Sequence, residues 1–211
     1  MARRLAATVG YRYIDSGAMY RAVALYALRN GWAIDPHNID YSAIIDAMPN
    51  INIDFGITPQ GTQRTLLNGE DVEDAIREME VSRIVSQVAA VPQIRERLVN
   101  LQRALGSNGG IVMDGRDIGT TVFPKAELKI FVTASPEVRA QRRFNELKAK
   151  GEKVDYNDVL ENVKQRDYTD THRSVSPLVK ASDAIELDNT SMTLEQQEQW
   201  LLEAFQSKVG E

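Results

Sequence analysis

Cysteine is absent from the 211 residues, which excludes disulfides and thiolate metal sites and suits a reducing compartment. Histidine is nearly as scarce. His37 and His172 are the two copies, far apart and outside any ligand-spaced cluster, so no metal cage built from protein ligands is expected. No apolar run approaches the roughly 18 residues that a membrane span needs. The opening Met1-Ala2-Arg3-Arg4-Leu5-Ala6-Ala7 is basic and then apolar, too short for a signal peptide. It reads as an amphipathic helix ending at Gly10, and the expected compartment is the cytoplasm. Positive charge is also in deficit: 25 Lys and Arg against 30 Asp and Glu give a net charge of −5. That argues against a uniformly basic nucleic-acid-binding surface but leaves room for a local basic pocket. Neither nucleic acid nor membrane is expected as a partner. The apolar share of 43% can fill a sizeable core, and 26% charged residues give no sign of disorder. The length suits one domain with a small insert.

Tyr11-Arg12-Tyr13-Ile14-Asp15 reads as a short strand, and Ser16-Gly17 opens a helix over 18–30 that Gly31 stops. Ile51 to Ile57 alternates apolar and polar, and Thr65-Leu66-Leu67 follows a Pro59-Gln60-Gly61 turn and ends at Asn68-Gly69. These strands predict a small antiparallel patch inserted into an α/β scaffold. Helices are predicted over 80–91 and 94–105, divided by Pro92. Ile111 to Asp114 and Leu128 to Val132 follow as strands of the buried type. Helices over 136–150 and 156–170, a strand over 184–188 and a last helix over 193–207 complete the pattern. Strands separated by helices predict a doubly wound parallel sheet with helices on both faces and ligands at the carboxyl ends of its strands.

Five places would present polar residues to such a ligand. Asp15-Ser16-Gly17-Ala18-Met19-Tyr20-Arg21 stands at a strand end, where Ser16 can cap the helix and Arg21 projects from its second turn. An ordinary cap with a surface arginine fits equally well. Asp114-Gly115-Arg116-Asp117-Ile118-Gly119 follows a second strand end, either as a ligand loop or as a tight turn holding an internal Arg–Asp pair. Arg166, Asp170 and Arg173 are spaced to share one helix face, and a solvated Arg–Asp pair is the alternative. Ser86 to Arg95 is bent by Pro92, which brings two polar ends toward one pocket or makes a plain helix–proline corner. Arg139, Arg142 and Arg143 at the head of a helix suit an anion or a solvated basic face.

Taken in order, DSGAMYR at 15–21, SQVAAVPQIR at 86–95, DGRDIGTTVFP at 114–124, KIFVTASPEVRAQRR at 129–143 and RDYTDTHRSVSPL at 166–178 resemble the bacterial cytidylate kinases. The resemblance covers nearly the whole chain. It implies a P-loop kinase-type fold, with a nucleoside-monophosphate-binding insert over about 36–80 and a lid over about 136–170. The implied reaction moves a phosphoryl group from ATP, with Mg2+, to CMP or dCMP. Carried over residue by residue, Ser16, Arg95 and Asp117 recognise cytosine, and Ser86, Arg166 and Asp170 hold the sugar. Arg21, Arg116 and Arg173 hold the acceptor phosphate, and Arg139, Arg142 and Arg143 close over the ATP phosphates. The implied catalytic arginines are Arg116, Arg173, Arg139 and Arg143. The chemistry agrees, since the cytosine amine is a donor suited to a carboxylate and phosphoryl transfer needs placed positive charge.

The family's first strand and its G-x-x-x-x-G-K-[ST] loop, which cradles the ATP phosphates, have no counterpart in the 211 residues. Gly106-Ser107-Asn108-Gly109-Gly110 lacks the lysine and precedes a strand. Met1 aligns inside the family's first helix, so a true start further upstream is expected, and a monomer once that N-terminus is present. The other readings are a natural remnant that binds nucleotide without catalysis, and a kinase for another monophosphate such as UMP.

Overall fold

The computed structural model describes residues 1–59 and 62–209. Gln60 and Gly61 of the expected Pro-Gln-Gly turn lie outside them. In chain order, α1 (Ala2–Val9) ends at Gly10, whose φ of 72° is the left-handed conformation that glycine adopts without a Cβ clash. β1 (Arg12–Asp15) runs directly into α2 (Ser16–Arg29). β2 (Ala33–Asp35), β3 (Asn38–Ile39), α3 (Tyr41–Ala47), β4 (Ile53–Ile57), β5 (Gln63–Leu67) and β6 (Glu70–Asp71) follow. After a 3₁₀ turn over Ala75–Arg77 come α4 (Met79–Ala90), α5 (Pro92–Leu105) and β7 (Ile111–Asp114). β8 (Ile130–Thr133), α6 (Pro136–Ala149), α7 (Tyr156–His172), β9 (Ile185–Asp188) and α8 (Leu194–Val209) complete the chain. Two compact units result: residues 15–107, and residues 1–14 with those from 108 onward.

The 15–107 unit is built around α2. Ala18, Met19, Ala22, Val23, Ala24 and Ala27 are sealed from solvent among Ile44, Ile76, Ile84, Val88 and Ile94. A helix apolar on nearly every side must be wrapped by its neighbours, and each such Ile contributes about 1.5–3 kcal/mol of burial. β4, β5 and β6 form an antiparallel meander in which Ile53 faces Leu67 and Phe55 faces Thr65. Asn68 at φ 50° and Gly69 at φ 86° make the tight turn between β5 and β6. Pro92 takes the first position of α5, where its missing N–H costs nothing, and Val91 is extended before it. The helix–proline corner is therefore real.

In the other unit β8 pairs with β9 in parallel, Ile130 against Ile185 and Val132 against Leu187, with α6 and α7 as the crossover. β1 pairs with β7 in a second ladder. The class is α/β with an antiparallel insert, as expected. One expectation needs correction. β7 and β8 are not buried strands: none of their residues is sealed from solvent, and Val132 is 43% exposed. Among the described residues these two ladders have two strands each, so β1, β7, β8 and β9 are all edges. A small cluster of Leu5, Leu187 and Leu201, packed by Trp200 and Phe205, closes over them.

Candidate functional site

Asp15, rather than Ser16, caps α2. Its Oδ1 accepts the Ala18 N–H at 2.9 Å, so Ser16 becomes the first helical residue instead of the cap. One turn on, Arg21 is buried and donates from Nη1 to the Ile76 carbonyl at 3.0 Å. Arg95, just past the Pro92 corner, is 2% exposed, the largest fully buried side chain described. It donates to the Ala89 carbonyl at 2.9 Å and lays its guanidinium 5.3 Å from the Tyr20 ring centre. Ser86 is buried on α4, the helix that precedes the corner, and Arg95 on the helix after it reaches the Tyr20 ring of α2.

The other unit holds the second gathering. After β7 the chain makes a π-type turn, with Val122 N–H bonding back to the Asp117 carbonyl and Phe123 N–H to Ile118. Such turns recur at functional sites. A Cβ at Gly119 would stand 3.2 Å from Lys129 Cδ, so a larger residue there would push the lysine side chain aside by a few tenths of an ångström. Arg116 does not pair with its neighbour Asp117; its Nε meets Asp170 Oδ2 at 2.9 Å. Asp117 instead faces Arg173 at 3.8 Å, and Arg173 also lies 3.6 Å from Asp170. Asp117, Asp170 and Arg173 are all buried, so the solvated-pair reading fails.

Arg173 does not share a helix face with Arg166 and Asp170. The helix ends at His172 and Arg173 is extended, at φ −62° and ψ 144°. Its backbone still bonds back to Thr169, and its Nε donates to the Ser176 carbonyl at 2.8 Å. Arg166 has its Nε sealed from solvent without a hydrogen-bond partner among the described residues. Burial, reinforced by the Arg116 charge, pulls its guanidinium down to about 10, and the Asp170 and Asp167 carboxylates only partly oppose this. Asp167 is itself gripped by Arg139, so four guanidiniums (Arg116, Arg139, Arg166 and Arg173) face three carboxylates (Asp117, Asp167 and Asp170), a surplus of positive charge that favours an anion.

The α6 arginines each have partners within the protein, although Arg142 remains exposed. Arg139 grips Asp167 with two bonds of 2.9 and 2.5 Å, and Arg143 pairs with Glu146 at 2.8 Å. Arg142 commits both terminal nitrogens to Asn189, at 2.9 Å to Oδ1 and 2.7 Å to the carbonyl.

The comparisons with known proteins agree on one family. The cytidylate kinase family model matches residues 1–207. A Bacteroides thetaiotaomicron protein named cytidylate kinase is 57% identical over 212 residues, covering 100% of this chain and 92% of the relative. Similarly named proteins of Porphyromonas gingivalis and Flavobacterium johnsoniae are 52% and 54% identical, covering 100% and 93% of this chain and 91% and 86% of theirs. The chain belongs to the cytidylate kinase family.

Cytidylate kinases are phosphotransferases that act on small nucleotides, and an Arg–Asp cluster with surplus positive charge suits such work. Among the described residues no group of three or more His, Asp or Glu could hold a metal ion. Mg2+ in phosphoryl transfer is commonly held by one or two carboxylates together with substrate phosphates, which needs no such group. No described helix is long and apolar enough to cross a membrane. Two polar nodes escaped the sequence reading: Asn189 under Arg142, and Arg77, which joins Asp15 to Glu73. Neither belongs to a motif; Asp15 is 62 residues from Arg77 and Arg142 is 47 from Asn189, although Glu73 lies within one helical turn of Arg77.

Proposed function

We propose that the protein transfers the γ-phosphoryl group of MgATP to CMP or dCMP, giving ADP and CDP or dCDP. The observation that carries this reading is the partly buried cluster of Arg116, Arg139, Arg166 and Arg173 against Asp117, Asp167 and Asp170, whose surplus positive charge fits a nucleotide. Arg21, Arg116 and Arg173 take the acceptor phosphate. Ser86, Arg166 and Asp170 take the sugar. Ser16, Arg95 and Asp117 take cytosine, with the Asp117 carboxylate accepting from the exocyclic amine. An oxygen of the acceptor phosphate is already a nucleophile, so no side-chain base is required and charge placement does the catalysis. Arg139, Arg142 and Arg143 serve the ATP side. Arg142, held by Asn189, anchors α6. Mg2+ supplies charge neutralisation on the ATP phosphates when bound. The proposed compartment is the cytoplasm and the proposed state a monomer, with neither nucleic acid nor membrane as partner.

The test combines calorimetric titration with CMP and chromatography of a mixture with MgATP. Saturable CMP binding is expected from the 211 residues, which carry the acceptor-side residues, and equal yields of CDP and ADP from the protein when it also carries a loop that cradles the ATP phosphates. Binding without CDP would leave a nucleotide-binding protein, and no binding at millimolar CMP would overturn the reading.

A further inference from the structure

Asp15 has two tasks. Oδ1 caps α2 at the Ala18 N–H, 2.9 Å away, while Oδ2 takes the Arg77 Nη2 at 2.5 Å. That guanidinium does not stop there. Its Nε and Nη2 also reach Glu73 Oε1, at 3.3 and 2.9 Å. The second Glu73 oxygen accepts from both the Thr65 N–H and its hydroxyl, at 3.1 and 2.6 Å, in the middle of β5. A continuous chain of charge-assisted bonds thus runs from the insert strand to the first turn of α2. The same 3₁₀ turn is held a second time, through the bond from Arg21 to the Ile76 carbonyl. Gly17 preserves the arrangement: a Cβ there would stand 3.2 Å from Asp15 Oδ1 and crowd the cap. Burial works against the Arg77 charge, but Asp15 and Glu73 more than offset it and hold the guanidinium above its ordinary pKa.

Arg77 is 62 residues from Asp15, and its side chain is only 24% exposed. We infer that Arg77 is a positioning residue: it locks the β4–β6 insert to the N-terminus of α2 and so fixes Ser16 and Arg21 for the acceptor nucleotide. It also neutralises Asp15, whose carboxylate would otherwise lie unbalanced beside the helix that presents Arg21 to a phosphate. Loss of Arg77 therefore weakens nucleotide binding twice, by loosening α2 and by exposing a repulsive charge. This rests on the proposed CMP reading, and its test has an arm that does not.

Arg77→Ala, Arg77→Lys and Asp15→Asn/Arg77→Ala are titrated with CMP, and amide hydrogen exchange is followed by NMR without nucleotide. Arg77→Ala is expected to weaken CMP binding about tenfold, and Arg77→Lys to weaken it less, since it keeps the charge but not the fork. The double variant should recover part of the loss, because the uncompensated carboxylate is gone. In the exchange arm the Ala18 and Thr65 amides should both speed up several-fold in Arg77→Ala, and less in Arg77→Lys. Wild-type CMP affinity in a folded Arg77→Ala would overturn the inference. So would faster exchange at Thr65 alone. If Arg77→Ala does not fold, Arg77→Lys decides: affinity and exchange both at wild-type values sink the idea. If the unaltered protein itself does not bind CMP, the functional reading falls, and the paired response of Ala18 and Thr65 still settles the coupling.

Discussion

Arg116 Nε meets Asp170 Oδ2 at 2.9 Å across 54 residues of chain, and this joins the loop after β7 to the end of α7. Asp170 is also the carboxylate nearest Arg166 and Arg173 in charge, so one acidic side chain balances most of the cluster. Removing it leaves buried guanidiniums facing one another, and breaking a buried pair costs about 3–5 kcal/mol. The lower figure applies, because the Arg116 side chain is 38% exposed and its pair is partly screened. Asp170→Asn should therefore lower Tm by roughly 6–12 °C at 2–4 °C per kcal/mol. Millimolar phosphate or sulfate should restore part of that by replacing the lost negative charge. Calorimetric scans with and without sulfate check this, and an unshifted Tm would place the balance of charge elsewhere.

Arg166 behaves in the opposite sense. Its pKa is pulled below the ordinary arginine value to about 10, first by burial. A base depressed on folding costs stability at every pH below its folded pKa, and the cost is relieved only as pH rises through about 10. A neutral-pH melt thus reads the cost in full. Arg166→Met keeps the volume and removes the buried cation, so Tm at pH 7 should hold or rise. CMP affinity should fall about tenfold or more with the loss of a charged contact. Stability and binding moving together downward would mark Arg166 as scaffold rather than ligand contact.

The loops at strand ends were legible in the sequence, because Asp-Gly and Gly-rich stretches after β-branched runs have few other uses. Arg116, Asp117 and Arg21 stand out that way, the corner between α4 and α5 is marked by Pro92 itself, and the roles of the three polar residues come from the family resemblance alone. The details that failed depend on partners remote in sequence. Asp15 takes the cap because its carboxylate reaches Ala18 while its other oxygen is claimed by Arg77. Arg173 lies past the end of α7, so its helical spacing from Asp170 is coincidental to the ion pair it makes. The exposure of β7 and β8 follows from how many strands pair beside them, which residue composition cannot report.

Asn189 offers a control. It is 5% exposed, accepts from Arg142 and donates to Gln197 Oε1 at 3.2 Å, so it ties α6 to α8 at the end of β9. Asn189→Ala leaves the buried Gln197 Oε1 without its donor, while the exposed Arg142 can turn to water, at a cost of about 1 kcal/mol. Tm should fall while CMP affinity stays within about twofold. A large affinity loss in the folded variant would show that anchoring α6 reaches the acceptor site.

Base choice is the sharpest test of Asp117. The residue is 4% exposed, and its backbone carbonyl is fixed by the N–H groups of Thr121 and Val122 in the π-type turn. Its carboxylate stands 3.8 Å from Arg173, an ion-pair distance longer than a charge-assisted hydrogen bond. A carboxylate accepts from the cytosine amine and repels the carbonyl that uracil carries at that position. Asp117→Asn presents an amide that can turn its oxygen to the amine or its NH2 to the carbonyl. The preference for CMP over UMP should then narrow by a factor on the order of ten, equivalent to about 1.4 kcal/mol. Titrating both nucleotides against the same variant cancels any general loss of folding. If Asp117 served only to hold Arg173, both affinities would drop by the same factor. An equal drop would move Asp117 from the base site to the scaffold and leave cytosine recognition to Ser16 and Arg95.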